Sequence, residues 1–83
     1  MQPDAPRSTA DALRASIETG IPRAVVEVTS SGSGHFSLIV TSEAFRGRPM
    51  LECHRMVYQA IASLMSGDAA PVHAIDTLKT LAG

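Results

Sequence analysis

Two runs rich in β-branched residues, Ala24-Val25-Val26-Glu27-Val28-Thr29 and Phe36-Ser37-Leu38-Ile39-Val40-Thr41, stand on either side of Ser30-Ser31-Gly32-Ser33-Gly34. Each run reads as a strand, and a short Gly/Ser link between adjacent strands predicts a hairpin. In the second run Phe36, Leu38 and Val40 fall on one face. The chain that carries this hairpin has 83 residues. That length suits one domain with a compact core.

The flanking segments read as helices. Ser8 with Asp11 three residues on resembles a helix N-terminus, and Ala12, Leu13 and Ile17 follow at helical spacing. Gly20 ends that helix and Pro22 prevents its continuation. Residues 1–7 read as a flexible tail. After the hairpin, Ser42 to Pro49 is a connector in which Gly47 supplies a backbone angle that other residues resist. Met50 to Ser66 is a strongly amphipathic helix. Cys53, Val57, Ala60, Ile61 and Leu64 share one face, with Arg55, Gln59 and Ser66 nearer the other side. Gly67-Asp68 closes it, Ala69-Ala70-Pro71 links onward, and Val72 to about Leu81 reads as a third strand. The expected order is α-β-β-α-β in a single domain over residues 8–83.

Composition narrows the function. The formal net charge is −1, so the chain as a whole is not a basic nucleic-acid binder. No Trp, one Tyr and two Phe make a base-stacking platform a poor expectation. No apolar run approaches the ~18 residues of a membrane span. The prolines and early acid of Met1-Gln2-Pro3-Asp4-Ala5-Pro6 do not fit a secretory signal. A single cysteine, Cys53, cannot form an internal disulfide and is compatible with a reducing cytosol.

Few residues offer chemistry. His73 follows a proline turn at the start of the third strand. Spacing alone favours a hydrogen-bonded, half-buried histidine, although neutral imidazole also ligates iron, zinc or copper. No local ligand pattern surrounds it, so a metal there would need ligands from elsewhere, including another molecule. His35 ends the Ser/Gly turn, and it approaches His73 only if that turn folds over the start of the third strand. His54 lies in the first turns of the long helix, one turn before Tyr58. It reads as a structural residue, while Arg55 and free backbone N–H groups there offer a place for an acid or phosphate. Cys53 falls on the apolar face as a small buried hydrophobe; a helix start can also lower a thiol pKa, which leaves a redox role open. Arg46, Arg48 and Arg55 form a basic cluster tempered by Glu43 and Glu52. Glu18, Glu27 and Asp76 are scattered, and no enzyme is expected.

Taken in order, three pieces resemble the BolA family. They are Ser42-Glu43-Ala44-Phe45-Arg46-Gly47, then Leu51 with His54-Arg55-Met56-Val57-Tyr58, then Val72-His73-Ala74. Gly34-His35-Phe36 also looks like the start of that family's second strand. The similarity runs over about residues 9–80. It implies an α/β (α+β) fold of the class II KH type, with helices on one side of a three-stranded mixed sheet. The KH G-x-x-G nucleic-acid loop is absent.

The resemblance also implies a function: a cytoplasmic adaptor that partners a monothiol glutaredoxin in iron sensing or iron–sulfur trafficking. The pair would share a 2Fe–2S cluster, with the glutaredoxin giving its active-site cysteine together with a glutathione thiolate. The BolA side would give the late-strand histidine, which matches His73, and a His or Cys from the hairpin turn, for which His35 is the available side chain. The isolated chain is expected to hold no cluster and to be a monomer or weak homodimer. The rival expectation is a transcriptional regulator that contacts DNA through Arg46, Arg48, His54, Arg55 and Lys79. Lys79-Thr80 resembles the family's Lys-Thr but sits about one residue further from His73. A shift or bulge in the third strand is therefore expected.

Overall fold

The computed structural model describes residues 8–83; the tail expected at residues 1–7 lies outside the described residues. The elements are α1 (Thr9–Gly20), β1 (Val25–Gly32), β2 (His35–Thr41), a short 3-10 turn (Glu43–Phe45), α2 (Met50–Met65) and β3 (Ala74–Leu81). This is the expected α-β-β-α-β order. The sheet order is β1-β2-β3, with β2 antiparallel to β1 and parallel to β3. Parallel neighbours cannot be joined by a tight turn, and α2 makes the crossover between β2 and β3.

The apolar periodicities converge on one core between helices and sheet. Leu13 and Ile17 of α1, with Ile21 just beyond it, meet Cys53, Val57 and Ile61 of α2. Phe36, Leu38 and Val40 are the buried face of β2, and Val26 is its counterpart on β1. Ser8 caps α1 by accepting from the Asp11 N–H at 3.1 Å.

Several boundaries differ from expectation. Gly20 is the last residue of α1 rather than a left-handed cap; the cap is Ile21 in extended conformation. The value of the glycine is its size, because a Cβ there would stand 3.0 Å from the Ala60 Cβ of α2. The helix expected to reach Ser66 ends at Met65, with Ser66 as its cap. Gly47 has the expected left-handed backbone, φ +76°.

The hairpin is tighter than the Ser/Gly tract suggests. Pairing continues to Gly32↔His35, so only Ser33-Gly34 forms the turn. His35 is thus the first residue of β2, not the end of a loop. Ser30 pairs with Phe36 and Gly32 with His35, which leaves Ser31 as an extra residue on β1. The expected irregularity of the third strand is present too. Ile75 pairs with Phe36 but Thr77 with Ser37, so Asp76 is extra on β3. Two bulges therefore flank the start of β2, one on each side of Phe36.

Candidate metal centre

His73 is placed by its neighbours. Val72 is buried, and its N–H donates to the Leu64 carbonyl of α2 at 3.1 Å. The chain then reaches the hairpin turn, where the Gly34 carbonyl accepts from the N–H groups of both His73 (2.8 Å) and Ala74 (3.1 Å). The third strand starts at Ala74 rather than Val72, so His73 stands just before it. Its side chain is exposed, not half-buried. The ring lies against the turn: a Cβ added to Gly34 would come within 2.6 Å of His73 Nδ1. Gly34 also has φ +75°. Only glycine meets both demands without strain. Nε2 is at the far end of the ring from Cβ and has no hydrogen-bond partner among the described residues.

The same contacts meet the condition set for His35. Its turn does fold over the start of the third strand, and His35 is aligned directly with Ala74. About half of its side chain is exposed. His35 Nδ1 lies 3.1 Å from Asp76 Oδ1, and Ser31 Oγ donates to Asp76 Oδ2 at 2.8 Å. These two hydrogen bonds, that of His35 first, hold the Asp76 carboxyl below its ordinary 3.8. The carboxylate that looked scattered in the sequence is thus drawn into the candidate site by its bulge. Asp76 and Ser31 were missed because bulges arise from strand pairing across the chain. One local signal existed: Ile75 and Leu78 both pack on the core, three residues apart where strict alternation requires two.

The corner presents two imidazoles on open surface. Among the described residues, no three His, Cys, Asp or Glu side chains come together to hold a metal ion. Imidazole is a ligand that iron, zinc and copper all accept.

The other candidates lie elsewhere. Cys53 is buried and free, with its sulfur 3.8 Å from the carbonyl oxygens of Phe45 and Arg48. His54 is half-buried on α2, one turn before Tyr58. Arg46 donates to the Gly83 carbonyl at 2.7 Å. Arg48 donates to the Ala44 carbonyl and pairs with Glu52 at 3.0 Å. Arg55 is exposed on α2. Lys79 is exposed on β3 between the partly buried Leu78 and Thr80, hence on the sheet face turned from the helices. No helix among the described residues is long and apolar enough to cross a membrane.

Comparison with known proteins places this geometry in context. The sequence model of the family described as "BolA-like protein" matches residues 9–82. BolA-like protein 1 of Mus musculus is 32% identical over 73 residues, covering 77% of this chain and 51% of the mouse protein. The chain therefore spans about half the length of that curated relative. The solution structure of mouse BolA1 superposes with a TM-score of 0.67 at 29% identity, over 88% of this chain and 63% of that one. A BolA homologue from Coxiella burnetii superposes with a TM-score of 0.69 at 35% identity, over 84% and 85% of the two chains.

Proposed function

The chain belongs to the BolA-like family, and from that premise we propose that it is an adaptor that shares a 2Fe–2S cluster with a monothiol glutaredoxin. His73 is the principal ligand and His35 the second. The partner's active-site thiolate and a glutathione thiolate complete the set. The observation that carries this reading is the Gly34 carbonyl. By accepting from His73 and Ala74 it ties the hairpin turn to the start of β3, which brings two exposed imidazoles to one corner.

The cluster is cargo here rather than a reactant of this chain. Histidine in place of thiolate tends to raise a cluster's potential. A surface site with two ligands from each side can exchange them as a partner departs, which suits trafficking or iron sensing. Alone, the chain is a monomer or weak homodimer and holds iron weakly. The need for glutathione points to the cytoplasm. No step requires this chain to act as an enzyme.

Visible absorption and circular dichroism of the chain mixed with a monothiol glutaredoxin, glutathione, iron and sulfide test the proposal. The expected result is a spectrum distinct from that of the glutaredoxin alone and lost in His73→Ala. Equal spectra with the wild type and with the variant would remove the proposal.

A further inference from the structure

Within the corner, Asp76 is the residue with the least ordinary placement. Strict alternation along β3 would set residue 76 opposite Ser37, but Thr77 occupies that position. Asp76 is lifted out of the ladder, and its side chain reaches back to His35, two residues before Ser37. The second bulge brings Ser31 to the same carboxylate from the opposite strand. Both carboxylate oxygens are thereby engaged, one by Ser31 and the other by His35. An ionised carboxylate only accepts hydrogen bonds, so the 3.1 Å contact requires the proton on His35 Nδ1. The nitrogen left with a free lone pair is Nε2.

We infer that Asp76 is the positioning residue of this site: held by Ser31, it fixes His35 as the Nδ1–H tautomer and turns Nε2 into the ligating nitrogen. The inference rests on the reading of His35 as a cluster ligand. A carboxylate behind a ligating histidine sets its tautomer, fixes the ring and raises its basicity. His73 is oriented by other means, through the Gly34 backbone against its Nδ1 edge.

The first test uses the isolated chain without metal. Long-range 1H–15N correlation of the imidazoles, above the pH range in which histidines protonate, reads the tautomer directly. Wild-type His35 should show Nδ1–H. Asp76→Ala should move it to Nε2–H, while Asp76→Asn, which keeps an accepting oxygen, should retain Nδ1–H. Backbone amide spectra check that the variants fold, as expected for an exposed residue. A wild-type His35 in the Nε2–H form, or a His35 unchanged in Asp76→Ala, overturns the inference.

The second test follows cluster lifetime under chelator challenge in the complex with a monothiol glutaredoxin and glutathione. Asp76→Ala should shorten it, in keeping with the about 10- to 100-fold loss of metal affinity that follows removal of such a supporting partner. Adding Asp76→Ala to His35→Ala should shorten it no further. If His35→Ala shortens the lifetime and Asp76→Ala does not, the inference fails and the proposed function stands. If neither His73→Ala nor His35→Ala has an effect, the proposed function fails, whatever the tautomer measurement shows.

Discussion

Gly34 carries two constraints that no other residue type can meet together. Its φ of +75° costs an L-residue about 1–2 kcal/mol. The space where a Cβ would sit is taken by the His73 ring. Gly34→Ala should therefore lower stability by at least about 1 kcal/mol, read as a reduced urea midpoint, and should also displace His73. The second effect would appear as lost cluster formation under conditions where the variant is still folded. A variant that loses stability but keeps the cluster spectrum would show that the ring contact is incidental. Asp76 allows a separate check. Its carboxyl is held below the ordinary 3.8 by His35 and then by Ser31. The folded-state value is depressed, so these bonds stabilise the fold above 3.8 and lose that effect as pH falls through the folded value. Carbon-detected titration should place the Asp76 midpoint below 3.8 and move it upward in His35→Ala and in Ser31→Ala. His73 was legible as a candidate through its sequence context. Asp76 was not, because its partners are 41 and 45 residues away.

At the scale of elements, the parts governed by local periodicity were readable and those governed by pairing were not. The apolar face of α2 was largely legible in the sequence: Cys53, Val57 and Ile61 are buried, with Ala60 and Leu64 packed beside them, while Met56 and Met65, which also pack on the core, were not foreseen. Ile61→Ala should cost about 2–5 kcal/mol in chemical denaturation, as expected when a fully buried branched side chain leaves a cavity. The Ser/Gly tract, by contrast, read as a five-residue turn. The ladder consumes three of those residues, since flanking apolar pairs hold the register and Ser31 is absorbed as a bulge. Ser42 was legible only as part of a motif. In the structure it is buried, donates to the Pro22 carbonyl at 2.7 Å and accepts from the Ala44 N–H at 3.1 Å. Ser42→Ala should cost about 1–3 kcal/mol by removing two part-buried hydrogen bonds at about 0.5–1.5 kcal/mol each. A loss below that range in a denaturation series would mean that water replaces both bonds.

For the molecule as a whole, charge bears on the rival, nucleic-acid reading. Arg48 is paired with Glu52, Arg46 is bound to the C-terminal carbonyl, and Lys79 faces away from the side of the sheet that α2 covers. With a net charge of −1, the chain carries no overall positive charge to draw a phosphate backbone. Fluorescence anisotropy with a labelled duplex should show no more than association in the non-specific range of about 10⁻⁴–10⁻⁶ M at physiological salt. Tighter binding, abolished by Arg48→Ala with Arg55→Ala, would favour a transcriptional role instead. On the proposed function, the imidazole corner calls instead for a partner that brings thiolates and completes the ligand set. The most direct measurement is therefore the visible circular dichroism of the chain with a monothiol glutaredoxin, glutathione, iron and sulfide, compared among wild type, His35→Ala and His73→Ala. The account predicts a new cluster spectrum for the wild type, altered in His35→Ala and lost in His73→Ala. A spectrum identical to that of the glutaredoxin alone, or one that both variants reproduce, would contradict it.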